Sequence, residues 1–202
     1  MKLYLVSNNL VLENIIYHTD ETLEQKRVNR PLSLAGEKLA KKLSESLEGV
    51  QAIYSSAYAS ALASAKYVAA QKNLPIYIDS NLRDAVIGNL GNQNIKQLRF
   101  KQEKDFNYRY VNGESLNDTS KRMKNIVNAI VDENRGCDVV IFSHKRAIMG
   151  YLLDYADLGY NLDDRLILSY DDKVVIDDAD KEINVIEITI EDEKITYIKT
   201  WE

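Results

Sequence analysis

The chain holds few side chains able to move a proton, and their positions narrow the chemistry. It has two histidines, His18 and His144, and one cysteine, Cys137. His144 follows Ser143 after the apolar run Asp138 to Phe142, which places it at the end of a predicted strand. His18 sits in polar Tyr17-His18-Thr19-Asp20 and reads as a surface residue. Ser7, Ser60 and Ser143 carry hydroxyls, but no base–acid pair stands beside them in the sequence, so serine-hydrolase chemistry has no evident support. The histidines and the cysteine form no ligand-spaced cluster, and neither a metal nor a cofactor is expected. Cys137 precedes Val139-Val140-Ile141 and reads as a buried thiol of a reducing compartment.

The elements that must position these residues alternate in type. Leu3 to Val6 predicts a buried strand that ends in the loop Ser7-Asn8-Asn9. Residues 10–30 read as irregular. Pro31-Leu32-Ser33-Leu34 opens a helix with Leu34, Leu39, Leu43 and Leu47 at helical spacing, and Gly49 stops it. A second strand spans Val50 to Tyr54, and Ser56 is the expected N-cap of an alanine-rich helix over 57–72. A third strand follows at Ile76 to Ile78. A polar helix is expected near 93–104. The capping box at Ser115 predicts a helix over 116–133, and another is expected over 145–156. Asp171 to Glu182 reads as a solvated acidic loop. Asn184 to Ile190 and Lys194 to Lys199 alternate around an acidic turn, which is a hairpin signal.

This order predicts a three-layer α/β/α fold, with a mostly parallel central sheet and an antiparallel C-terminal edge, in one domain spanning 1–202. Ligands in such sheets bind beyond the carboxyl ends of the strands. Ser7-Asn8-Asn9, Ser55-Ser56 and Ser143-His144 are the loops that qualify. A net charge of -5 argues against nucleic acid and acidic membrane as partners. No apolar run approaches the ~20 residues that cross a bilayer, and the expected location is cytoplasmic.

Six elements, in order, resemble the histidine phosphatase (phosphoglycerate mutase-like) superfamily. They are Leu5-Val6-Ser7-Asn8-Asn9 with Asn14, Pro31-Leu32-Ser33-Leu34-Ala35-Gly36, Tyr54 to Ala65, Leu82-Arg83-Asp84 with Gly88, Asn112-Gly113-Glu114-Ser115 with Arg122, and Phe142-Ser143-His144-Lys145. The resemblance implies a first-strand histidine that attacks phosphorus, two arginines that hold the phosphate, a second histidine and a carboxylic proton donor. Carried over, the nucleophile position is Asn8, the arginine positions are Ser7 and Ser60, the second histidine is His144 and the acid is Asp84.

An amide nitrogen has no free lone pair with which to attack phosphorus. The two lost guanidiniums each supplied charged hydrogen bonds of roughly 1.5–3 kcal/mol. The expectation is therefore a pseudoenzyme that binds a small polar ligand or a protein partner. The expected binding residues are Ser7, Asn8, Asn14, Ser60, Asp84 and His144. Two alternatives stand beside it: a weak phosphatase or mutase working through His144 and Asp84, and an oligomerisation partner of an active relative or of itself. Lys145 and Arg146 are expected to begin a helix and point to solvent.

Overall fold

The computed structural model describes residues 1–16, 20–179 and 182–201. His18, expected at the surface, lies outside the described residues.

Strand β1 (Lys2–Asn8) organises the sheet. It pairs in parallel with β4 (Asp138–Ser143), which pairs in parallel with β2 (Val50–Ser55), and β2 carries the short β3 (Ile76–Ile78). On its other side β1 pairs antiparallel with β8 (Ile183–Glu191), and β9 (Lys194–Thr200) closes that edge. The order is β3-β2-β4-β1-β8-β9, so the central strands are parallel and the C-terminal hairpin supplies the antiparallel edge.

Alternation along β1 and β4 divides the core into two layers. Leu3, Leu5, Val139 and Ile141 face one way, onto Met123, Val127 and Ile130 of α5 (Leu116–Glu133) and Ile148 and Leu152 of α6 (Lys145–Leu152). Tyr4, Val6, Val140 and Phe142 face the other way, onto Leu43 of α2 (Leu34–Ser46) and Ala65 and Val68 of α3 (Ala59–Lys72). Each such fully buried apolar side chain contributes roughly 1.5–3 kcal/mol. Helix α5 begins where its capping box places it: Ser115 Oγ accepts from Asp118 N and the Asp118 carboxylate accepts from Ser115 N, both at 3.0 Å.

Several expectations need correction. The segment 10–30 contains a short helix, α1 (Leu23–Val28), started by a capping box at Thr22. The buried face of α2 is Gly36, Ala40, Leu43 and Ser44, and Leu47 follows it into the core; of the leucine series Leu43 and Leu47 face inward, whereas Leu34 is 83% exposed. Helix α3 is capped by Tyr58, because the Ser56 hydroxyl is turned back and accepts from Tyr58 N at 3.3 Å. Helix α6 ends at Leu152, short of 156. Cys137 is half-buried.

The acidic stretch from Asp171 is not a solvated loop. Its Asp171-Asp172 turn joins β6 (Leu166–Tyr170) to β7 (Lys173–Asp177), and with β5 (Asp157–Tyr160) these form a second, three-stranded antiparallel sheet. Both turn residues have positive φ, which aspartate tolerates better than most side chains. Leu166, Leu168, Val175 and Ile176 seal this sheet against the α5–α6 core. Among the described residues, no helix is long and apolar enough to cross a membrane.

Candidate functional site

The carboxyl ends of β1, β2 and β4 converge. Ser7 lies in parallel register with Ser143, and Ser55 lies in register with Phe142. His144, the residue after β4, is therefore brought opposite the loop that leaves β2. Its Nε2 sits 3.0 Å from Ser56 Oγ, and its ring packs on Tyr58 with centroids 4.6 Å apart. Burial pushes the imidazole down to about 4, against a smaller upward pull from Asp84, so His144 is neutral near pH 7.

Asn8 is 8% exposed and both ends of its amide are engaged. Its Nδ2 donates to Gly36 O at 3.0 Å and its Oδ1 accepts from Leu10 N at 3.2 Å. The contact needs a glycine at the start of α2: a Cβ on Gly36 would lie 2.3 Å from Leu10 O. Ser7 is 1% exposed, and its buried hydroxyl has no hydrogen-bond partner among the described residues.

Helix α1 supplies charges that the sequence reading did not place here. The Arg27 guanidinium pairs with Asp84, bonds Glu24 at 2.9 Å and donates to Ala85 O at 3.1 Å. Glu24 in turn accepts from the Tyr58 hydroxyl. Asp84 also accepts from Ala85 N at 2.9 Å. Burial works to raise the Asp84 carboxyl, but Arg27, with help from His144 and Arg99, outweighs it and brings the group down to about 2. Asp84 is thus a fixed carboxylate, with no proton to donate.

A second charged group borders the site. Arg146 is 4% exposed, which overturns its expected place in solvent. It lies 3.4 Å from both Glu103 and Asp178, while Arg165 contacts Glu103 at 3.2 Å and also pairs with Asp178. Both carboxylates have fully buried side chains. Lys145, expected in solvent too, donates to Asp178 O at 2.9 Å.

The expected residues are partly brought together. Asn8, Asp84 and His144 border one site with Ser7 beneath, and Ser60 is buried in the first turn of α3. Asn14 lies on an exposed stretch beyond the Val11–Leu32 bridge. Glu114 has a scaffold role. It accepts from Arg122 Nε and Nη2, both at 2.7 Å, from Arg83 at 3.0 Å and from Val86 N at 3.0 Å. Sequence reasoning placed the Ser55-Ser56 loop at the strand ends but read Ser56 as a helix cap, and it missed Glu24, Arg27 and Tyr58. The capping box at Thr22 was the available signal that 10–30 held a helix able to present the first two.

The profile of the histidine phosphatase superfamily (branch 1) matches residues 18–188. The chain belongs to the histidine phosphatase superfamily. The match begins after Ser7 and Asn8, the first-strand residues of the site. No curated protein sequence matches. Among solved structures, the fold is similar to that of a mycobacterial glucosyl-3-phosphoglycerate phosphatase, at 16% identity and a TM-score of 0.67 over 99% of this chain and 97% of that one. It is similar also to an Escherichia coli protein described as a putative alpha-ribazole-5'-P phosphatase, at 16% identity and a TM-score of 0.65 over 100% and 96% of the two chains. An Entamoeba histolytica phosphoserine phosphatase mutant matches at 15% identity and a TM-score of 0.64, over 98% and 96%. Identities this low carry the architecture of the superfamily and no substrate.

Proposed function

We propose that this histidine phosphatase-fold protein is a pseudoenzyme: it binds a small polar ligand at the carboxyl ends of β1 and β4 and transfers no phosphoryl group. The carrying observation is the engagement of Asn8. An amide at the nucleophile position cannot attack phosphorus, and here its Nδ2 ties the loop to α2 while its Oδ1 accepts from Leu10 N within the loop.

Two further observations support the reading. Ser7 and Ser60 stand where the family resemblance places phosphate-holding guanidiniums. Arg27, a cation beside Asp84, is already engaged with Asp84, Glu24 and Ala85 O. The alternative phosphatase working through His144 and Asp84 needs a protonated acid for the leaving group, and Asp84 is held as an ion-paired carboxylate.

An assay with p-nitrophenyl phosphate tests this. The wild type is expected to show no turnover above the uncatalysed rate. Turnover that disappears in His144→Ala would overturn the reading. The variant carrying Asn8→His, Ser7→Arg and Ser60→Arg is the positive comparison for regained phosphohistidine formation.

A further inference from the structure

We propose that the site at the carboxyl ends of β1 and β4, beside His144, binds a small monocarboxylate, with the Arg99 guanidinium as its ion partner. The inference rests on the non-catalytic reading above and names the class of ligand.

Helix α4 (Ile95–Lys104) lies across the start of α6. Gln102 Oε1 accepts from Arg146 Nη2 at 3.2 Å, Glu103 faces Arg146 at 3.4 Å, and Gln102 Nε2 donates to Glu114 O at 2.8 Å. Arg99 stands three and four residues before Gln102 and Glu103, so it shares their face and turns toward the same place. It is half-buried, and among the described residues it has no hydrogen bond and no ion pair. The charged groups acting on it are Arg146, Arg165 and Arg27, with Asp84 as the opposing carboxylate. Each has its own partners: Asp84 holds Arg27, and Arg146 and Arg165 share Glu103 and Asp178. Of these four arginines, Arg99 is the one without an ion pair or hydrogen bond among the described residues. Its removal from water, and then Arg146, lower it to about 10, which leaves it charged near pH 7.

Two other features of the site invite an acceptor. The Ser7 hydroxyl is buried without a partner, in register with the residue before His144. A native buried hydroxyl left unsatisfied costs stability unless something fills its bonding capacity. The amino end of α6 also lacks a side-chain cap, since its N-cap residue is His144 and makes no capping bond. A helix amino end without a side-chain cap favours an anion.

The charge balance selects among anions. A phosphate monoester brings close to two negative charges and needs at least two free cations. The Asp84 carboxylate already occupies the site as an ion, and Arg27 is committed to it, to Glu24 and to Ala85 O. One free guanidinium matches one carboxylate, in the planar two-bond geometry that arginine favours.

The test is a titration of isotope-labelled full chain, followed by NMR, with acetate, lactate, pyruvate and inorganic phosphate at constant ionic strength. At least one of the monocarboxylates is expected to saturate in the millimolar range and to shift Ser7 and His144, and Arg99→Gln should weaken it by about tenfold or more. Lys96→Gln, on the exposed side of the same helix, should leave binding unchanged. The proposal is overturned if phosphate binds more tightly than every monocarboxylate, if Arg99→Gln binds as the wild type does, or if no monocarboxylate saturates. Should Arg99→Gln not fold, the wild-type shifts decide: saturation that moves residues elsewhere and spares Ser7 and His144 overturns it. The phosphatase assay separates the two readings, because absent carboxylate binding with no turnover leaves the pseudoenzyme standing.

Discussion

Ser56 Oγ and His144 Nε2 meet at 3.0 Å across the gap between β2 and β4. The same hydroxyl oxygen accepts from Tyr58 N at 3.3 Å, so its proton is free to point at the imidazole. A neutral ring that accepts at Nε2 carries its proton on Nδ1. The contact therefore selects a tautomer, an assignment that follows from the hydrogen-bond network.

Replacing Ser56 with Ala removes the donor and leaves Tyr58 N and His144 Nε2 unmatched. The expected cost is about 1–2 kcal/mol in urea unfolding. The sharper readout is the ring nitrogen spectrum, which is simple because the chain has two histidines. The Nδ1-protonated form should dominate His144 in the wild type and lose ground in Ser56→Ala. An unchanged tautomer ratio would remove Ser56 from its positioning role.

Stability should depend on pH in two separate windows. The His144 pKa is about 4 in the fold, against an ordinary 6.5. The unfolded chain takes up this proton first, so the contribution of neutral His144 is complete above the ordinary value and is lost as pH falls toward the folded one. The limiting slope is about 1.4 kcal/mol per pH unit, so at most roughly 3–3.5 kcal/mol is at stake. Asp84, at about 2 against an ordinary 3.8, acts lower down: its contribution is present above the ordinary value and is lost as pH falls through the folded one. Urea unfolding of the wild type and His144→Gln at a series of pH values checks this. The variant should show a flatter profile in the upper window, and equal profiles would sink the assignment.

Arg27 holds two carboxylates of the site at once, Asp84 and Glu24. Its removal leaves a mostly buried Asp84 without its cation, since that side chain is only 17% exposed. Arg27→Met should cost roughly 1–3 kcal/mol and lift the Asp84 carboxyl well above its present value. Adding Asp84→Asn should recover part of the loss, because the double change leaves no orphan charge. Full additivity of the two changes in denaturant titrations would show that the pair is not coupled.

The layers of this fold were legible because they rest on local signals. The apolar runs Leu3 to Val6 and Asp138 to Phe142 mark strands, and the box at Ser115 marks the start of α5. Asn8, Asp84 and His144 were legible through a motif that fixes each beside a strand end or turn. Arg27 and the Ser56–His144 contact were not, because they join residues far apart in the chain. Arg27 reaches Asp84 across 57 positions, and His144 reaches Ser56 across 88. The second sheet was missed for another reason. An acidic composition reads as solvent-facing, yet Asp178 is 4% exposed because two distant arginines neutralise it.

The same arginines carry the last prediction. Glu103 and Asp178 have fully buried side chains, and Arg146 and Arg165 are their cations among the described residues. This quartet ties α4 and the residue after β7 to the start of α6, one position past His144. Arg165 is 28% exposed, so water can replace part of its role, whereas Arg146 is enclosed at 5%. Arg146→Met leaves two buried carboxylates sharing one partly solvated cation and should cost roughly 3–5 kcal/mol. Arg165→Met should cost less, because water can reach the ground it vacates. Combining Arg146→Met with Glu103→Gln should be milder than Arg146→Met alone, since one orphan charge is gone. The three variants compared by urea unfolding give the order. A double variant less stable than Arg146→Met would mean that Glu103 holds the fold through contacts other than its charge.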